Sequence, residues 1–104
     1  MHRKKVDKNQ TEIVEALRRH GAKVFVSSFV GHGFPDVIAM INGEFWLIEI
    51  KSSRKSSLTR AQQNVHSLFR GGKIIVGYDK DDVLSKTGLV PLITDELLEK
   101  AYTD

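Results

Sequence analysis

Two apolar runs stand either side of Asn42-Gly43: Val37-Ile38-Ala39-Met40-Ile41 before it and Phe45-Trp46-Leu47-Ile48 after it. This pattern predicts a tight β-hairpin, because a type I′ turn needs φ > 0 at both central residues and Asn-Gly supplies it. With a two-residue loop, Ile41 pairs with Glu44 and every pair of facing residues sums to 85. Asp36 then lies opposite Glu49. Phe45 and Leu47 face one way, and Trp46, Ile48 and Ile50 the other. A strand that is apolar on both faces belongs in the middle of a sheet.

Helical spacing precedes the hairpin. Asp7-Lys8-Asn9-Gln10 spells a capping box, Ile13, Val14, Ala16 and Leu17 form an apolar stripe, and Gly21 ends the helix. Ala22 to Phe29 alternates, with Val24 and Val26 against Phe25, and predicts a strand. Val30-Gly31-His32-Gly33-Phe34 is a loop leading to Asp36. Beyond the hairpin, Ser52 to Ser57 is a polar, basic linker. Thr59-Arg60-Ala61-Gln62 spells a second capping box, opening a helix with Ala61, Val65, Leu68 and Phe69 on one face and Gly71-Gly72 at its end. Lys73 to Tyr78 reads as a short strand, parallel to its neighbour because a helical crossover precedes it. Asp79 to Ser85 fits one or two helical turns. Leu89 to Ile93 is at best an edge strand, given Pro91, and Thr94 caps a final helix with Leu97, Leu98 and Ala101. The expected architecture is α/β, a mixed central sheet flanked by helices, with residues 1–104 as one domain.

Composition adds limits. There are no cysteines, which excludes disulfides and thiolate zinc sites. The apolar runs fall short of the roughly 18 residues of a membrane span. The basic start Met1-His2-Arg3-Lys4-Lys5 lacks the apolar core of a signal peptide, so an intracellular location, the cytoplasm of a bacterial host if the source is viral or prokaryotic, is expected. The net charge of +3 hides an asymmetry. Residues 1–23 hold seven Lys/Arg against three acids and 44–73 hold six against two, whereas 74–104 hold three against seven. The basic portions suit a polyanion such as DNA, the alternative being a merely solvated surface. The acidic end suits packing or subunit contact.

The hairpin register has a chemical consequence. Two carboxylates about 5 Å apart at Cβ destabilise a sheet unless a cation or a shared proton lies between them. Lys51, two residues past Glu49, projects to the same side. Gly31 and Gly33 allow close backbone approach to a phosphate, although no Gly-Lys-Ser/Thr follows as in a Walker loop. His32 either contacts a bound DNA strand or is simply exposed. Arg54 and Lys55 in the linker, with Arg60 in the next helix, are candidate phosphate contacts. Gln10 falls within the apolar stripe of the first helix and Glu12 toward its edge. His66 reads as a partly buried structural residue.

The constellation Pro35-Asp36 … Glu49-Ile50-Lys51 resembles the PD-(D/E)xK nuclease core, and more narrowly the virus-type replication-repair nuclease (VRR-NUC) domain. The resemblance runs from about Asp7 to Val76. It includes Asn9-Gln10-x-Glu12-Ile13-Val14, Gly31-x-Gly33-x-Pro35-Asp36 and Leu58-Thr59-x-x-Gln62-Gln63. It implies a restriction-endonuclease-like core in which Asp36, Glu49 and the Ile50 carbonyl hold Mg²⁺ or Mn²⁺ and Lys51 orients or deprotonates a water. Gln62 would place Lys51 or the scissile phosphate, or serve only as a cap. Many relatives have a metal-facing glutamate in the first helix. Gln10 matches that place better than Glu12, which leaves one or two metals open. Stand-alone members are similar to Holliday junction resolvases and often act as homodimers on branched DNA, leaving 5′-phosphate ends. A flap- or nick-directed nuclease and a non-catalytic DNA-binding module on the same fold are the alternatives.

Overall fold

The Asn42-Gly43 turn sets the frame. In a computed structural model, which describes residues 8–69, 72–89 and 99, both turn residues adopt positive φ, 50° and 80°. The strands they join, β2 (Val37–Ile41) and β3 (Glu44–Ile50), pair antiparallel from Ile41↔Glu44 to Val37↔Ile48, the register read from the sequence. The other elements are α1 (Lys8–Arg19), β1 (Lys23–Val26), α2 (Arg60–Leu68), β4 (Ile74–Gly77) and α3 (Lys80–Lys86). The sheet has the order β1-β2-β3-β4, with β4 parallel to β3, so it is mixed and the hairpin occupies its centre. The architecture is α/β.

One face of the sheet makes the core. Val37, Ala39, Ile41 and Ile48 are buried against Ile13, Val14, Ala16 and Leu17 of α1 and Val83 and Leu84 of α3. These apolar positions recur at the period of each element, which is how one stripe and one sheet face find each other. The helix α1 stops where Gly21 N–H donates to Arg18 O and Ala22 N–H to Leu17 O. Gly77 lets α3 press on β4, since a Cβ there would overlap Val83 Cγ2.

Three expectations are revised. The first strand ends at Val26 instead of Phe29 because Ser27 turns the chain: its Oγ donates to Pro35 O and Val30 N–H donates to Ser27 O. Only Val24 of that strand is buried, and Val26 is exposed like Phe25. The apolar face expected for α2 is not a core face. No residue of α2 is buried, and Leu68 is 82% exposed. The helix instead stands over the outer sheet face, leaving a groove of about 450 Å³ lined by Phe34, Ile38, Leu47 and Phe69 among others. Asp7, Gly71, the strand expected at 89–93 beyond Leu89 and the helix from Thr94 lie outside the described residues.

Candidate active site

The residues singled out by the hairpin register gather at one end of the sheet. The ladder closes at Val37↔Ile48, and one residue further along each strand stand Asp36 and Glu49. Glu49, within β3, follows on the outer face with Leu47 because side chains alternate along a strand, and Asp36 lies just outside β2. Glu49 is buried and Asp36 half-buried. Asp36 Oδ2 accepts a hydrogen bond from Ile50 N–H at 2.8 Å. The side chain of Asp36 thus replaces a rung of the ladder and is pinned in place. In an extended strand a residue's N–H and C=O point to the same side, so the Ile50 carbonyl shares the flank that Asp36 occupies.

Lys51 continues β3, its N–H donating to Gly77 O at 3.0 Å. Its half-buried side chain donates from Nζ to Gln62 Oε1 at 2.9 Å. The same oxygen accepts from Thr59 N–H at 2.8 Å, and Gln62 N–H donates to Thr59 Oγ1 at 3.2 Å. Gln62 is therefore both half of the capping box and the partner of Lys51. A carbonyl oxygen has two lone pairs, so the two tasks do not compete.

Gln10 is buried and Glu12 exposed, so Gln10 is the inward residue of the first helical turn. That turn sits at the C-terminal end of β4, where Asn9 Nδ2 donates to Tyr78 O at 2.8 Å. Lys55 and Arg60 are exposed, as are Gly31 and His32 in a loop with successive positive φ values. Arg54 is engaged within the chain. Its guanidinium lies 4.5 Å from the Tyr78 ring centroid and 3.8 Å from Asp82, which also pairs with Lys86 at 3.0 Å. Composition hid this Tyr78–Asp82 cluster, because its members come from three separate stretches.

A divalent cation fits the donor set in one particular way. No group of three or more His, Cys, Asp or Glu side chains comes together among the described residues. Two hard carboxylates and a neighbouring carbonyl match an ion such as Mg²⁺, which keeps several waters and completes its shell with substrate oxygens.

His66 completes the inventory. Burial lowers its pKa below the ordinary 6.5, and its Nε2 is buried without a hydrogen-bond partner. The folded chain then holds fewer protons here than the unfolded chain once pH falls through 6.5, so stability present above that pH is lost below it. Thermal melts between pH 8 and pH 5 are expected to show a steeper acid-side fall in Tm for the wild type than for His66→Gln. Parallel curves would remove His66 from the acid response.

A family model described as archaeal Holliday junction resolvase (hjc) matches residues 1–79, a span containing Asp36, Glu49, Ile50, Lys51 and Gln62. A solved structure described as a VRR_NUC domain superposes with a TM-score of 0.64 at 24% identity, covering 88% of this chain and 91% of that one. At this identity the likeness bears on the fold, which is the same. No curated protein matches the chain.

Proposed function

Because this chain belongs to the archaeal Holliday junction resolvase family, we propose that it is a divalent-cation-dependent endonuclease cutting phosphodiester bonds of branched DNA. Asp36, Glu49 and the Ile50 carbonyl are its cation ligands. The observation that carries this reading is the shared strand end: the acid held on Ile50 N–H, the acid on the facing strand and the Lys51 ammonium held by Gln62 all project from it. When bound, Mg²⁺ or Mn²⁺ polarises a phosphoryl oxygen and lowers the pKa of water at the site. Lys51 places a positive charge where negative charge grows in the transition state, and Gln62 keeps that ammonium from swinging into solvent. Asp36 cannot rotate away without orphaning the Ile50 N–H, so its other oxygen stays directed at the site.

Paired cuts across a junction need two active sites, which a twofold pair of chains supplies. The outer sheet face exposes Phe25 (59%) and Phe45 (61%) and α2 exposes Leu68 (82%), apolar surface that such a pair would cover. No helix among the described residues is long and apolar enough to cross a membrane.

The deciding experiment incubates labelled four-way junction, flap, nicked and linear duplex with the chain in Mg²⁺, Mn²⁺ or EDTA. Cleavage of the junction in either metal, absent in EDTA, is the expected result. Cleavage of flap or nicked duplex in its place would move the substrate assignment, and no cleavage of any substrate would end the nuclease reading.

The basic residues make a graded prediction. Lys55→Gln and Arg60→Gln should each weaken junction binding and reduce the slope of log K against log salt by about one. Arg54→Gln should change the slope less, because Asp82 and Tyr78 already engage its guanidinium. Titrations at four salt concentrations measure this, and equal slopes for wild type and Lys55→Gln would remove the linker from the DNA interface.

A further inference from the structure

The two loop glycines before Asp36 have nearly the same backbone and quite different surroundings. Gly31 (φ +74°) has nothing within 4 Å of where a Cβ would be. At Gly33 (φ +82°) a Cβ would overlap the Ala61 carbonyl carbon and oxygen and lie 2.7 Å from Gln62 N. The backbone of the loop is thus seated directly on the first turn of α2, on the peptide joining Ala61 to Gln62. That seat matters because α2 has no buried residue to anchor it. Its position relative to β3 is set by few contacts, and the Lys51–Gln62 hydrogen bond of 2.9 Å is one of them.

We propose that Gly33 is a positioning residue for Lys51: the absence of a side chain lets the loop hold the first turn of α2 at the distance where Gln62 Oε1 retains the Lys51 ammonium. Gly33 then differs in role from Gly31, whose open surroundings suit approach of a phosphate. A side chain at 33 pushes the Ala61–Gln62 peptide away by most of an ångström, since ordinary contact begins near 3.4 Å. Backbone atoms cannot rotate aside as a flexible side chain can, so the whole first turn moves and takes Gln62 with it. A 2.9 Å hydrogen bond lengthened by that amount falls outside useful geometry. The Thr59–Gln62 capping box lies within the moving turn and survives. The predicted lesion is therefore confined to the link between α2 and Lys51.

The inference rests on the role of Lys51 proposed above, so the test reads the ammonium itself as well as cleavage. In ¹⁵N-lysine-labelled protein, the Lys51 Nζ resonance is assigned by its loss in Lys51→Met. It is expected to be protected from exchange in the wild type and in Gly21→Ala, which matches the positive φ with nothing within 4 Å. Gly33→Ala and Gln62→Ala should both lose the protection. On junction DNA in Mg²⁺, Gly33→Ala should lower the single-turnover rate about tenfold or more, with binding changed by less than about threefold. The double variant Gly33→Ala/Gln62→Ala should be no slower than Gln62→Ala, because both act on one link. Additive losses, or a protected Lys51 signal in Gly33→Ala, would overturn the proposal. So would global unfolding of Gly33→Ala, since the clash is to be absorbed by α2 alone. If the wild type cleaves no DNA but the exchange results hold, Gly33 still seats α2 and the nuclease reading is what fails.

Discussion

Asp36→Asn and Glu49→Gln should each abolish metal-dependent cleavage while the chain still folds. Each substitution removes one negative charge from a set holding only two carboxylates among the described residues. A cation with two protein carboxylates has no third to substitute for a lost one. The polarisation it brings is worth several kcal/mol in the transition state, so the rate should fall by about 10²- to 10³-fold or more. Folding should survive because neither acid contributes apolar contacts to the core. Asparagine can still accept from Ile50 N–H through its side-chain oxygen. Without metal, Asp36→Asn should melt no lower than wild type, since it also relieves the repulsion between facing acids. Asp36→Ala should be less stable by about 1–3 kcal/mol, because it leaves the Ile50 N–H without its acceptor. Cleavage assays with urea melts in EDTA check both halves. Wild-type cleavage by either amide variant would remove the acids from the chemistry, and a clear loss of metal-free stability in Asp36→Asn would contradict repulsion between them.

Lys51→Met carries the second large effect. Methionine keeps most of the apolar stem and removes the ammonium that Gln62 holds. The loss of a preorganised positive group next to developing charge costs about 10²- to 10³-fold in rate. Stability should change little, because Gln62 Oε1 keeps its bond from Thr59 N–H and the helix start remains capped. Junction binding should be nearly unchanged, which separates a transition-state role from simple phosphate attraction. Gln62→Ala should fall between wild type and Lys51→Met, with a stability loss of about 1 kcal/mol from the broken capping box. Single-turnover rates at saturating junction measure the order. Lys51→Met at wild-type rate would move the charge-stabilising role to another residue.

Some of this could be read from the residues in order. The Asn42-Gly43 turn dictated the hairpin register because its two central residues tolerate φ > 0, and a period of two then assigned every face of β2 and β3. Asp36, Glu49 and Lys51 came to one strand end by counting alone. The parallel β4 followed from an intervening helix, and the second capping box from Thr59 and Gln62. The apolar face read for α2 does not join the core. Its apolar stripe of Ala61, Val65, Leu68 and Phe69 is real, but helical spacing marks a surface that needs covering without saying that this chain covers it. The partners of Arg54 within the chain were not legible for a related reason. Charge counts show where cations are in the sequence, whereas Asp82 and Tyr78 meet Arg54 only once β4 and α3 are folded.

The chain's own order of residues determined the local matters: turn type, strand register, helix starts and which carboxylates come to one strand end. These depend on backbone dihedrals and on periods of two and 3.6 within one segment. Tertiary structure decided what lies between segments. It gave Gln62 to Lys51 as well as to Thr59 and set Gly33 against the backbone of α2. Contacts of this kind arise where elements distant in sequence meet, and close packing leaves room there for only one arrangement of atoms.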